Sequence, residues 1–243
     1  MAHEKEFSIQ INDTTSSIKM KKPFKLIEVK PNIFCLKFNN HYDMCMTFLR
    51  YQEFYESPSS QFRGKSFRIL DFMRWYSLAF GKGAFTYPID WSGFNIPDYV
   101  LQQVYDLGIK DWNDYDQQMW EVYQACKQQA RFHGKFYIIG VTKGNGALDH
   151  EIAHGLFYLN AQYKKEMTKL VKQMEPDLRI AMNTYLKKVG YTPKVFIDET
   201  QANMATTEDF TGGGDYRRFN LETATKLIKA QKPFIEIFEK YIK

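Results

Sequence analysis

Two histidines four residues apart flank a glutamate in the sequence HEIAH at residues 150–154. On a helix, side chains four positions apart lie one turn above one another on the same face, so His150 and His154 are predicted to reach one metal ion. Glu151 is predicted to face a water molecule bound to that metal. This arrangement suits metal-assisted hydrolysis, because zinc lowers the pKa of bound water to about 7 and a carboxylate can accept the proton.

The same pattern has a structural alternative, in which two helical histidines only satisfy hydrogen bonds of the core. Chance is a poor explanation of the spacing, since the chain holds only 5 histidines in 243 residues. Two features of the surrounding sequence favour the metal site. The motif contains neither glycine nor proline, and a strand pattern, FYIIGV at residues 136–141, precedes it by a short loop.

With this strand, loop and helix, the chain resembles the zincin metallopeptidases. The resemblance implies an α+β, zincin-like fold, with a small mixed β-sheet mostly in the N-terminal half, an HExxH active-site helix and a helical C-terminal part. It also implies that FYIIGV is an edge strand, which would pair with an extended peptide substrate through main-chain hydrogen bonds.

A catalytic zinc site needs a third protein ligand and one open position. The third histidine of the metzincin pattern, HExxHxxGxxH, is absent and no histidine follows His154, so a carboxylate is predicted to close the site. The sequence IDETQANMATT at residues 197–207 is similar to the second motif of the glutamate-zincin, or gluzincin, class. That resemblance implies Glu199 as the third ligand, with Asp198 as the alternative. Where the class commonly has an Asp that hydrogen-bonds a ligand histidine, this chain has Asn203, which could take that role or be an ordinary surface amide.

Further side chains could stabilise the oxyanion formed during hydrolysis. Tyr216, Arg217 and Arg218 follow a TGGG sequence, which could carry a phenol or a guanidinium over the reacting carbonyl as a loop closes. Tyr216 is the predicted catalytic residue of this group, and a solvated loop is the alternative. His41 and His133 are weaker candidates, because a lone histidine is more often structural.

The sequence thus predicts a zinc-dependent metallopeptidase with a peptide or protein substrate. His150, His154 and Glu199 would bind Zn²⁺, water would fill the fourth position, and Glu151 would act as general base and then as general acid. One alternative is another zinc-dependent hydrolase or amidase with the same ligands. The other is a non-catalytic binding protein on a zincin scaffold. The presence of Glu151 argues against this alternative, because a purely structural site needs no base.

Composition places further limits on the function. Hydrophobic residues make up 44% of the chain and charged residues 25%, a balance typical of a folded domain. The net charge of +5 is spread along the chain, so neither a nucleic-acid partner nor a membrane is predicted. Three cysteines without CxxC spacing indicate buried thiols in a reducing compartment. The polar N-terminal sequence lacks the apolar run of a signal peptide, and no stretch approaches ~18 apolar residues, so a cytoplasmic location is predicted.

The organisation predicted along the chain is a single metallohydrolase domain over residues 1–243, with an extended or loosely ordered N-terminal segment at 1–22 and a metal-site core at 135–205. Alternation in residues 24–38 predicts two strands joined by a turn. Residues 42–55 fit a helix or a strand, and residues 83–97 are predicted to be a loop. In the first 131 residues, helices are predicted at 66–80, 97–107 and 114–131. A further helix is predicted to begin at residue 148, with an interruption near Gly155 or Asn160. Others are predicted after Pro176, around Glu199 and at the C-terminus, where Pro233 would break the helix.

Overall fold

A computed structural model describes residues 5–6, 22–130, 134–144, 146–212 and 218–243. The protein is α+β and divides into two compact units. The first unit contains Met1–Tyr55 and Ser59–Leu148, and the second contains Glu56–Pro58 and Asp149–Lys243. The HEIAH sequence and Glu199 both lie in the second unit. A single catalytic domain over the whole chain stays a prediction.

The first unit carries all the strands that the described residues form. Its elements in chain order are β1 (Lys5–Glu6), β2 (Phe24–Lys30), β3 (Ile33–Phe38), α1 (His41–Glu56), α2 (Ile69–Ala79), α3 (Tyr87–Asp90), β4 (Gly93–Pro97), α4 (Asp98–Leu107), α5 (Asp114–Gln129) and β5 (Tyr137–Thr142). The two strands predicted at 24–38 and the three helices predicted between 66 and 131 are confirmed. Residues 42–55, which fitted a helix or a strand, form α1.

The strands form one mixed sheet in the order β1-β2-β3-β5-β4. β5 pairs in parallel with β3 and antiparallel with β4, and every residue of β5 is buried. The predicted edge strand is therefore wrong: FYIIGV forms most of β5, which has a paired strand on each side. A strand with neighbours on both sides has no free main-chain groups with which to bind a peptide.

The prediction of a loop at residues 83–97 is wrong for residues 87–90 and 93–97, which form a helix and a strand. The short helix α3 begins there with Pro88 in its first turn, where a missing N–H costs no hydrogen bond. β4 follows, and Phe94 and Ile96 are buried on the face that packs into the core of the first unit. Its pairing with β5, distant in sequence, makes this segment a strand, and local composition does not reveal that contact.

Among the described residues of the second unit, the regular elements are all helices. It contains α6 (Leu148–Leu159, which opens with the last residue of the first unit), α7 (Ala161–Gln173), α8 (Pro176–Lys188), α9 (Phe196–Thr206), α10 (Leu221–Ala230) and α11 (Lys232–Ile242). The predicted interruption falls at Asn160, whose side chain accepts hydrogen bonds from the backbone N–H groups of Gln162 and Tyr163 and so caps α7. Gly155 lies inside α6. α9 packs against α7, α8 and α11.

Several remaining predictions are settled or fall outside the described residues. All three cysteines are buried and free, as predicted, and burial raises the pKa of Cys45 to about 12. Within the described ranges, no helix has the length and apolar character needed to cross a bilayer. Of the N-terminal segment at 1–22, only Lys5–Glu6, which pair with β2, and Lys22 are described.

Candidate metal centre

Helix α6 places the two histidines of the HEIAH sequence one turn apart. Their Nε2 atoms are 3.2 Å from each other, and their ring centroids are 4.9 Å apart. The helix is buried from Glu151 to Phe157, so the face that carries His154 points into the second unit, while His150 keeps 24% of its side chain exposed. The helical spacing predicted from the sequence therefore brings both ring nitrogens to one point.

Helix α9 brings a carboxylate to the same point. Glu199 Oε1 lies 3.6 Å from His154 Nε2, and Glu199 Oε2 lies 3.9 Å from His150 Nε2. Glu199 is only 3% exposed. One ligand atom from each of these three residues falls within 4.8 Å of the others. Within the described part of the chain, they form a group that could hold a metal ion.

The separations match what a small divalent cation requires. Zinc binds imidazole nitrogen at about 2.0–2.1 Å and carboxylate oxygen at about 2.0–2.2 Å, so neighbouring ligand atoms at a tetrahedral site are about 3.4 Å apart. The observed spacings of 3.2, 3.6 and 3.9 Å lie around that value. Side-chain shifts of a few tenths of an ångström would therefore bring all three ligand atoms into range.

Hydrogen bonds on the far side of each ring orient the two histidines. Asp198 Oδ1 lies 2.9 Å from His154 Nδ1 and accepts its N–H. Thr206 Oγ1 lies 3.3 Å from His150 Nδ1, and because this hydroxyl donates its own proton to Ala202 O at 2.8 Å, its oxygen is the acceptor for the ring. Both Nδ1 atoms therefore act as donors, which leaves both Nε2 atoms facing Glu199, the arrangement that metal-binding histidines use.

The charges around His154 favour a cation. Burial alone would lower the pKa of His154, but the carboxylates of Asp198, Glu199 and Glu151 outweigh it and raise that pKa to about 10. Burial lowers the pKa of His150 well below its usual value, and the positive charge on His154 lowers it further. His154 is thus charged and His150 neutral at pH 7. The short contact between their Nε2 atoms is a hydrogen bond that His154 donates.

The carboxylates outnumber the cations here. Burial raises the pKa of Glu199 to about 7, and the neighbouring charges of Asp198 and Glu151 also raise it, against the opposing effect of His154. Three acidic groups surround one protonated imidazole, and a buried excess of negative charge is costly. A divalent cation in place of the His154 proton would offset that excess, so the donor set fits a metal ion in charge as well as in spacing.

Glu151 is buried at 4% exposure beside His150 on α6. It does not belong to the three-residue ligand group, yet its charge raises the pKa values of both His154 and Glu199, so it lies within electrostatic reach of both. A carboxylate near a metal position that is not itself a ligand can accept a proton from water.

Two details of the predicted second motif are corrected. Asp198, the alternative ligand, faces the Nδ1 side of His154 and acts as its hydrogen-bond acceptor. Asn203 does not take the predicted role: its amide nitrogen donates to the backbone oxygen of Glu199 at 2.8 Å, and its amide oxygen, which would have to accept a ring N–H, accepts from the Thr207 hydroxyl at 3.4 Å. Thr206 is the residue of α9 that accepts the hydrogen bond from the His150 ring. At about 100° per residue, Thr206 lies about 20° from Glu199 around the helix and Asn203 about 40°, so Thr206 shares the ligand face more closely.

The structure adds Tyr191, which sequence reasoning missed. Gly190, with φ 102°, ends α8 in the left-handed region, and the N–H of Tyr191 then bonds the carbonyl of Leu186 at 3.0 Å. This turn directs the Tyr191 phenol to Glu199, and the hydrogen bond between them helps to keep Glu199 ionised by lowering its pKa. The sequence predicts the end of the helix at Gly190, but it does not predict that Tyr191 hydrogen-bonds Glu199.

The candidates for stabilising an oxyanion are placed only in part. Tyr216 and Arg217 lie outside the described residues, as does His133. Arg218 is exposed, its backbone N–H bonds Thr211 O at 3.1 Å, and its positive charge contributes to lowering the pKa of His150. His41 is the exposed first residue of α1 in the first unit.

Comparison of the chain with protein-family models, curated proteins and solved structures found no match. The resemblance to the zincins and to their glutamate class rests on the residues of α6 and α9, and membership of that class stays a prediction.

Proposed function

We propose that the protein is a zinc-dependent metallopeptidase of zincin-like architecture, with His150, His154 and Glu199 as metal ligands and Glu151 as the catalytic base. The observation that supports the proposal most strongly is the convergence of three ligand atoms within 4.8 Å, with the buried carboxylate of Glu151 close enough to raise the pKa of Glu199. The histidine orientations and the surplus of buried carboxylates support it further. The cytoplasmic location is part of the proposal, and three buried free thiols agree with a reducing compartment.

The chain's own residues supply most of the proposed mechanism. The two Nε2 atoms and a Glu199 oxygen would hold the metal, which supplies Lewis-acid polarisation and lowers the pKa of water when bound. The Glu151 carboxylate accepts one proton from the attacking water and then donates it to the departing amine, while the C–N bond breaks and the new C–O bond completes a carboxylic acid. Asp198 and Thr206 hold the ligand rings in place, so that little reorganisation is needed during the reaction.

The proposal is tested by metal content and peptide cleavage on the same preparation. Purified protein is expected to contain about one zinc per chain and to cut members of a mixed peptide library, with cleavage lost after chelation and restored by added zinc. Mass spectrometry reads both the metal and the new peptide termini. Metal without cleavage would redirect the search to other amide or ester bonds. Absence of metal after preparation without chelators would contradict the proposal.

Zinc affinity is expected to rise with pH. Because the pKa of His154 is raised to about 10 in the metal-free protein, zinc must displace a proton at every pH below that value. Affinity should therefore increase about tenfold per pH unit above about pH 7, and more steeply below it, where Glu199, with its pKa of about 7, also carries a proton.

Competition with a chelator of known proton affinity, from about pH 6 to about pH 8.5, measures this slope. Calorimetry in two buffers of different ionisation enthalpy gives the number of protons released as a check. A pH-independent affinity, or binding without proton release at about pH 8, would contradict the assignment of His154 as a ligand.

A further inference from the structure

A chain of hydrogen bonds lies behind His154 on the side away from the other ligands. The Tyr163 hydroxyl donates to Gln201 Oε1 at 2.8 Å, and Gln201 Nε2 donates to Asp198 Oδ1 at 3.0 Å and to the carbonyl of Ala153 at 3.3 Å. Asp198 Oδ1 in turn accepts the Nδ1–H of His154. The chain thus connects α7, α9 and α6. Tyr163 and Gln201 are both fully buried at 0% exposure.

The direction of each hydrogen bond in this chain follows from one backbone group. The carbonyl of Ala153 can only accept, so the Gln201 amide must present its nitrogen there. The amide oxygen then faces Tyr163, whose hydroxyl has to donate. The opposite orientation of the amide would place its oxygen against two acceptors, Ala153 O and the Asp198 carboxylate, and would leave buried donors unsatisfied.

The chain acts on His154 through a single oxygen atom. Asp198 Oδ1 accepts from both Gln201 and His154, so the carboxylate is held from two sides. The Asp198 side chain is 24% exposed, and without Gln201 it could rotate towards water. With Oδ1 fixed, the ring of His154 keeps Nδ1 as donor and turns Nε2 towards His150 and Glu199.

Packing alone does not account for these two residues. A buried amide and a buried phenol cost free energy unless each polar atom is paired, and apolar side chains of similar size would fill the same volume without that cost. Tyr163 does pack against the ring of Tyr241, with centroids 5.3 Å apart, but that contact needs only the ring. The hydroxyl of Tyr163 is directed at Gln201.

We propose that Tyr163 and Gln201 are positioning residues for metal binding: they hold the Asp198 carboxylate against His154 Nδ1 and thereby direct His154 Nε2 to the metal. This inference rests on the proposed metal site. Neither residue touches the metal or a substrate, so their removal should weaken metal binding while the three ligands remain.

Three variants separate positioning from packing. Gln201→Met keeps an unbranched side chain of similar length but removes both polar groups. Tyr163→Phe removes one hydroxyl. Tyr241→Phe is the matched control, since it makes the same chemical change on the ring that packs against Tyr163, and its hydroxyl donates to Glu166 at 3.2 Å and interacts with Lys240.

Two measurements are made on each variant. Zinc affinity by chelator competition is expected to fall about 10- to 100-fold in Gln201→Met, the range typical for loss of an outer hydrogen-bond partner, and about fivefold in Tyr163→Phe. It should be unchanged in Tyr241→Phe. The second measurement needs no metal: the Nδ1–H proton of His154, observed by NMR in the metal-free protein, should exchange with solvent faster in Gln201→Met and Tyr163→Phe than in wild type and Tyr241→Phe.

The two readouts distinguish the possible failures. If wild type binds no zinc, the proposed function fails, and the exchange rate of the His154 ring proton still decides whether the hydrogen-bond chain positions the ring. If Gln201→Met does not fold, Tyr163→Phe carries the test. Unchanged zinc affinity and unchanged proton exchange in Tyr163→Phe, or equal losses in Tyr163→Phe and Tyr241→Phe, would overturn the inference.

Discussion

Replacement of Glu151 by glutamine is expected to lower kcat about 10²- to 10⁴-fold while one zinc per chain remains bound. The substitution keeps the size of the side chain and removes its ability to accept a proton. Glu151 is buried beside the ligand group but is not one of its three members, so the metal should stay. The loss should appear in kcat more than in KM, because the proton is transferred in the chemical step.

The matched control for this variant is Asp149→Asn. Asp149 lies on the same helix two residues earlier, is exposed, and loses its carboxylate by the same chemical change. Zinc content, kcat and KM for one peptide identified from the library are measured on both variants and on wild type. Near-normal turnover in Glu151→Gln would show that another group accepts the proton and would remove Glu151 from the mechanism.

Replacement of Glu199 by alanine is expected to abolish stoichiometric zinc binding and, with it, cleavage. Its two carboxylate oxygens lie 3.6 and 3.9 Å from the Nε2 atoms of His154 and His150, and the helix that carries it brings no second carboxylate to that side of the rings. Removal of an outer hydrogen-bond partner lowers metal affinity about 10- to 100-fold. The loss in Glu199→Ala should be larger, because a ligand itself is missing.

Comparison with two further variants makes this assignment specific. Asp198→Asn keeps an oxygen that can accept the His154 ring proton but removes the negative charge beside the ring, and should weaken zinc binding without abolishing it. Glu222→Ala removes an exposed carboxylate of the same unit, which pairs with Lys226 at 2.8 Å, and should leave zinc binding unchanged. If Asp198→Asn lost the metal and Glu199→Ala kept it, the ligand and its neighbour would have to be exchanged.

These variants also separate the proposed peptidase from its two alternatives. A hydrolase acting on another bond would keep zinc in Glu151→Gln and would show no peptide cleavage even as wild type. A binding protein on a similar scaffold would keep zinc and show no loss of function on replacement of Glu151, because such a site has no use for a base. The zinc content of Glu199→Ala is expected to be the same under all metal-binding alternatives.

Much of the candidate site was predictable from local spacing. The distance of four residues between His150 and His154 places both rings on one helical face whatever surrounds the helix, because the period of a helix depends only on its own backbone. The same holds for the hairpin of β2 and β3 and for the break at Asn160, where a side chain caps the next helix. Glu199 was identified by resemblance, and the structure places it beside both histidines.

Other features depend on which surfaces meet, and local sequence carries no signal for them. β5 is an interior strand because β3 and β4 pair with its two sides. The apolar sequence of such a strand does not show whether it lies at an edge or in the middle of a sheet. Asp198 and Thr206 orient the histidines in place of Asn203 because the rotation of α9 relative to α6 decides which side chains face the rings.

Residue identity and helical period suffice to place two imidazoles on one helical face next to the carboxylate of Glu151, so this part of the proposed site follows from the sequence. How the imidazoles are held depends on contacts between helices that are distant in sequence. The bonds from Tyr163 to Gln201 and from Asp198 to His154 join residues 38 and 44 positions apart. Such partners meet only when the helices of the second unit pack at one particular distance and rotation.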